Sequence, residues 1–192
     1  MYVSKNGSWW NGSNFTSSPT APGTIWDATL SNSNIVYPTI QGHNQGESTT
    51  MRFASNSWTY SAPDTYTALT NTVTGVGNYA TLNPLATNGN GTISAGNLNF
   101  TVGSTSNSVA GSTIGVSSGK FYGEATYNSG SAYGFGFGIA NSTSSTLRTG
   151  SGTYLGEDSG SHGINASNGN LTSGGSVTVS SYAGGALSNG TK

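Results

Sequence analysis

The chain has 192 residues, no cysteine, charged side chains at only 6% of positions and a formal net charge of −1. Its few cations are scattered and it has no apolar run of about 18 residues, so neither nucleic-acid binding nor membrane insertion is expected, and no disulfide can contribute stability. Gly, Ser, Thr and Asn make up more than half of it, aromatics reach 10% and strong helix formers are scarce, which is the balance of a strand-and-turn protein rather than of a disordered chain.

Residues 1–10 read MYVSKNGSWW, where Asn6-Gly7 between two short runs predicts a hairpin with a type I′ turn. Residues 11–24 form a polar loop. Residues 35–40 (IVYPTI) are a strand that Pro38 should confine to a sheet edge or a bulge. In residues 49–54 (TTMRFA), Met51 and Phe53 share one face and Arg52 takes the other. Residues 58–69 are extended and broken by a turn at Pro63-Asp64. Residues 71–91 form a polar linker with Tyr79, Leu82 and Leu85 as possible anchors, and residues 98–102 make a short strand.

In residues 120–127 (KFYGEATY), Phe121, Ala125 and Tyr127 lie on one face. Lys120, Tyr122, Glu124 and Thr126 lie on the other. Residues 133–140 (YGFGFGIA) place Tyr133, Phe135, Phe137 and Ile139 on a core-filling face. Gly134, Gly136, Gly138 and Ala140 form a face that marks close approach of another backbone or ring. Residues 152–155 and 176–182 supply further strands, and no helix is expected. The near absence of Lys and Glu leaves strand edges without their usual charged protection, so edges are expected to be covered internally or by other subunits.

The segments GKFYGEATY (119–127), GFGFGIA (134–140), TLNPL (81–85) and MYVSKNGSWW, with the stretch MRFASNSWTYSAPDTYTAL (51–69), together resemble SPRY/concanavalin-like β-sandwich domains of bacteriophage fibre and decoration proteins. The order is permuted. In that family the counterparts of 119–140 come first, and the Lys-Asn-Gly hairpin and the closing strands follow. The resemblance therefore implies an antiparallel, jelly-roll-like sandwich whose late half is residues 1–70 and whose early half is residues 92–192. Such a chain is circularly permuted, or cut from a tandem array, or completed by a neighbouring subunit. Met1, Tyr2, Val3, Thr191 and Lys192 are then expected to form an assembly join.

Trp9 and Trp10 alternate faces. They serve either as one core and one rim residue or as a sugar-stacking platform. Tyr154, Glu157, Asp158 and His162 share the segment GTYLGEDSGSHG, which is read as a solvated loop or, by the resemblance, as a binding loop at one end of the sandwich. Glu157-Asp158 is the only adjacent acidic pair, and it lacks both the spaced carboxylates of a calcium loop and the facing pair of a glycosidase. His43 has no nucleophile constellation around it in sequence. No catalytic residue, metal site or cofactor is expected. The expected function is a non-enzymatic structural subunit of a virion surface or extracellular fibre that self-assembles and contacts a surface glycan. The alternative is a soluble, monomeric carbohydrate-binding adhesin, and a glycan-active enzyme ranks below both.

Overall fold

The computed structural model describes residues 4–6, 8–10, 15–16, 35–54, 58–60, 67–68, 79–88, 90–103, 105–130, 136–148 and 153–191. In chain order the strands are β1 (Ser4–Lys5), β2 (Ser8–Trp10), β3 (Phe15–Thr16), β4 (Val36–Gly42), β5 (Ser48–Arg52), β6 (Thr67–Ala68), β7 (Leu82–Asn88) and β8 (Gly91–Ser94). There follow β9 (Asn99–Val102), β10 (Ser108–Ser112), β11 (Phe121–Tyr122), β12 (Glu124–Ser129) and β13 (Gly136–Asn141), then the one-turn helix α1 (Ser145–Arg148), β14 (Ser161–Asn165), β15 (Leu171–Ser173) and β16 (Ser176–Val179). The fold is all-β and its two large sheets are antiparallel, as the composition implied. Among the described strands the parallel pair is β6 with β11.

The N-terminal hairpin forms where Asn6-Gly7 places it. Ser4 pairs with Trp9 and Lys5 with Ser8, and Asn6 takes the positive φ, 50°, that a type I′ turn requires. The larger sheet runs β16-β15-β14-β13-β4-β10-β7 and the smaller β12-β5-β9-β8. Ile40 and Ala110 of the first sheet share one apolar cluster with Met51, Phe100 and Val102 of the second, joined by Phe53, Ala80 and Leu82. Each large side chain buried there contributes about 1.5–3 kcal/mol. A second cluster of Ile164, Leu171, Tyr182 and Ala183 closes the β14–β15 end. Each of the two sheets takes one strand from residues 1–70, β4 in the larger and β5 in the smaller, set between strands from later in the chain.

Several expectations need correction. Of the edge or bulge expected for Pro38, the edge is not found: Pro38 lies in the central strand β4, paired with Ile139. It is tolerated because the β10 flank bulges there. The ladder stops at Thr39↔Gly111 and resumes as a single bridge, Val36↔Val116, so the neighbouring chain loops past the missing donor. Residues 82–88 of the expected linker form β7, in which Leu82 is buried while Leu85 is 96% exposed and anchors nothing. Residues 153–155 are turn and coil, not strand, and α1 is a helix that the composition did not announce.

The last concerns β13. Phe137 does pack against the main cluster, but it and Ile139 are only half-buried. The fully buried face is that of Gly136, Gly138 and Ala140, on the side of the sheet where Leu147 and Leu155 of the β13–β14 connection lie against Gly111 and Gly163. Tyr133 and Phe135 lie outside the described residues.

Candidate functional site

Strand register aligns Gly111, Thr39, Gly138, Gly163 and Thr172 in one row across β10, β4, β13, β14 and β15. A row of small residues lets another segment approach the sheet closely. The described residues of the excursion between β13 and β14, 142–148 and 153–160, supply it. Leu147 of α1 lies over Gly111 and Leu155 over Gly163, so closely that a Cβ on Gly163 would stand 2.9 Å from the Leu155 side chain. Thr172 Oγ1 donates to the Leu155 carbonyl at 3.1 Å. At the β7 side, Asn88 Nδ2 donates to the Thr146 carbonyl at 2.7 Å.

The carboxylate of Asp158 holds the excursion together. It accepts from Ser144 Oγ (3.0 and 3.1 Å), from Ser145 N (2.6 Å) and Oγ (2.7 Å), and from Gly160 N (3.0 Å). Burial works against its ionisation, but the hydrogen bonds of Ser145, Ser161 and Ser144 outweigh that and hold the carboxyl below its ordinary value.

The row beside this one is Val109, Gln41, Gly136 and Asn165. Here the excursion stops short. Gly136 carries no side chain and leaves a gap between the side chains of Gln41 and Asn165. The result is a cleft of about 360 Å³, lined by Gln41, His43, Asn107, Tyr154, Asn165 and Asn168, with Gly136, Leu155, Ile164, Ser167 and Thr172. Its polar walls are fixed. Buried Gln41 accepts from Leu155 N and donates to Asn107 Oδ1 at 3.4 Å. His43 Nδ1 stands 2.7 Å from the same oxygen. An amide oxygen only accepts, so Nδ1 carries the proton. Asn165 Oδ1 accepts from Ser167 N and Oγ at 2.8 and 2.6 Å, and Asn168 Oδ1 accepts from Asn170 N at 2.9 Å. Both asparagines therefore keep their NH₂ groups as the end not engaged by these turns.

Two buried carboxylates anchor segments elsewhere. Glu47, 1% exposed, accepts from His43 N at 2.6 Å and from Asn44 N at 3.1 Å, fixing the bend that carries His43. Burial, with the charge of Glu47, raises the Tyr127 hydroxyl to about 12. Glu124, 5% exposed, accepts from Thr59 N (3.0 and 2.9 Å), Tyr60 N (2.9 Å) and Tyr122 Oη (3.1 Å). Burial first, and Glu124 second, push the Tyr122 hydroxyl up. The Trp58 ring meets Tyr122 edge-on at 4.6 Å.

Of the residues singled out in sequence, Tyr154 lines the cleft. Asp158 is the clasp of the excursion. His162 lies on β14 opposite Ile139, on the other face of the sheet from Gly163. Trp9 and Trp10 occupy adjacent positions on β2, paired with Thr16 and Phe15. Thr191 is buried and its carbonyl accepts from Tyr127 N at 3.0 Å. Met1, Tyr2, Val3 and Lys192 lie outside the described residues. Gln41, Asn107, Asn165 and Asn168 went unnoticed in sequence because amides are everywhere in this chain. No group of three or more metal-ligating side chains occurs among the described residues, and no helix is long and apolar enough to cross a membrane. The chain matches no protein-family model, no curated protein and no solved structure.

Proposed function

We propose that this chain is a non-enzymatic structural subunit of a virion surface or extracellular fibre. On this reading it is a SPRY/concanavalin-like sandwich that assembles with neighbouring subunits and presents loops for attachment. The observation that carries the reading is the chemistry of the sheet edges. Among the described strands β16 and β7 end the larger sheet. Val177 of β16 is 52% exposed and Leu85 of β7 is 96% exposed, and neither strand holds a charged residue. Edge strands of monomeric proteins are normally blunted by Lys or Pro. Pro84 does this for β7, whereas β16 (SVTV) has neither.

The apolar cluster shared by the two sheets supports the sandwich, and the resemblance of residues 119–127 and 134–140 supports the virion or fibre setting. The use of the acids supports a non-catalytic role, since Glu47, Glu124 and Asp158 all accept backbone amides. Light scattering across a concentration series, with electron microscopy, tests the reading. Oligomers or filaments that grow with concentration and are lost in Val177→Lys are expected. A monomer at every concentration, with an unchanged melting temperature, overturns it. The second reading, a monomeric carbohydrate-binding adhesin, draws its support from the cleft.

A further inference from the structure

We infer that the cleft over Gly136 is a binding site for one neutral pyranose unit of a glycan. The inference rests on the attachment half of the reading above, to which it gives a ligand class and a place. The volume, about 360 Å³, falls at the small end of ligand cavities. Its chemistry is narrower than its size. The side chains around it are amides (Gln41, Asn107, Asn165, Asn168), hydroxyls (Ser167, Thr172) and the rings of His43 and Tyr154. No lysine, arginine or carboxylate lines it, so nothing there offsets a phosphate, a carboxylate or an ammonium group. Only Leu155 and Ile164 are aliphatic, too few to retain an apolar ligand by burial.

A neutral polyol fits what remains. Its hydroxyls both donate and accept, matching amide NH₂ groups and amide oxygens at fixed positions. Asn165 and Asn168 are pre-oriented, since their oxygens are held by Ser167 and Asn170, so their NH₂ groups meet a ligand without further ordering. Gln41 is locked from below by the Leu155 amide. Tyr154 brings an aromatic ring to the excursion side, the flat partner for the C–H face of a pyranose. Gly136 supplies the floor. A Cβ there would stand 3.1 Å from the Ile164 carbonyl and 3.7 Å from Gln41 Cβ, and any longer side chain would project into the space a sugar ring needs.

The site should also discriminate. A uronic or sialic acid brings a carboxylate with no cation to meet it, so neutral hexoses and N-acetylhexosamines bind and acidic sugars do not.

The test is a heteronuclear NMR titration of the whole chain with glucose, galactose, mannose, N-acetylglucosamine and glucuronic acid. Saturable shifts of the Gly136, Leu155, Asn165 and Asn168 amides are expected with at least one neutral sugar, with a dissociation constant on the order of 1 mM. Glucuronic acid should leave them unmoved. Gly136→Leu abolishes the shifts, and Tyr154→Ala and Asn168→Asp weaken binding about tenfold or more. The last two replace partly or fully exposed side chains and report on the site even if Gly136→Leu fails to fold. Absence of saturable shifts with every neutral sugar overturns the inference, as do shifts that survive Tyr154→Ala and Asn168→Asp unchanged. Assembly without sugar binding refutes the site and leaves the subunit reading intact. Sugar binding by a strict monomer does the reverse.

Discussion

The backbone amide of Leu155 donates to the side-chain oxygen of Gln41, 114 positions earlier in the chain. This bond ties the excursion to the centre of the larger sheet and sets one wall of the cleft. Gln41→Leu keeps the bulk but leaves a buried N–H without its acceptor. The expected loss is about 1–3 kcal/mol in chemical denaturation. Faster hydrogen exchange at the Leu155 amide separates this local release from general destabilisation.

Glu124 anchors residues 59–60 through backbone amides on the far side of β12. Glu124→Gln preserves the shape but removes the charge and one acceptor, and costs about 1.5–3 kcal/mol. Glu124→Ala costs at least as much. Because the Trp58 ring sits against Tyr122 at 4.6 Å, loss of the anchor should also shift Trp58 fluorescence. Unchanged emission together with unchanged stability would show that Glu124 does not hold this segment.

Acid should loosen the excursion. The folded pKa of Asp158 is depressed, so its contribution is present above the ordinary value of 3.8 and is lost as pH falls from there through the lower folded value. His162 is also depressed, chiefly by burial, so protonation favours the unfolded chain once pH drops below 6.5. Stability is therefore expected to decline in two steps, the first below pH 6.5 and the second below 3.8. Asp158→Asn should remove the second step, and His162→Gln the first, in melts recorded across pH.

A methyl group at Gly138 would overlap the His162 carbonyl oxygen and stand 2.8 Å from the Gly163 Cα, both of them backbone. Neither can turn aside as a side chain would. Gly138→Ala is expected to cost about 1–3 kcal/mol or more in the same denaturation assay. Gly96, with φ of 67° and open space around it, gives a contrast. Alanine there carries only the conformational cost of a positive φ, about 1 kcal/mol.

Much of the local order was legible. Asn6-Gly7 placed its hairpin, and the alternation of Met51 and Phe53 around Arg52 identified the inward face of β5. The glycine face, described at Gly136 and Gly138, is a place where another backbone comes close, as expected, yet it is better buried than the opposite face of Phe137 and Ile139. Period-two alternation identifies faces, but here both are covered and the pattern cannot rank them. Glu47 and Glu124 gave no sign of burial because their partners are backbone amides, and those of Glu124 lie 64 and 65 positions away. The cleft was invisible for a related reason. Its residues come from separate segments, and three of them, Asn107, Asn165 and Asn168, are of a type found throughout the chain, while Gln41 and His43 belong to no motif.

The excursion leaves the sheet at Asn141 and returns at Ser161, and its two ends are already paired, Asn141 N donating to the Gly160 carbonyl at 2.8 Å. It is therefore a segment closed at its base, fastened by Asp158 and seated on a row of glycines and threonines. One wall of the cleft travels with this segment and the other stays with the sheet. Replacing 142–160 as a block, with Ser144, Ser145 and Asp158 retained, would exchange the ring at Tyr154 for another while β4, β13 and β14 remained in register. Variation in that wall of the cleft can then accumulate in a single stretch of chain without altering the strands beneath it.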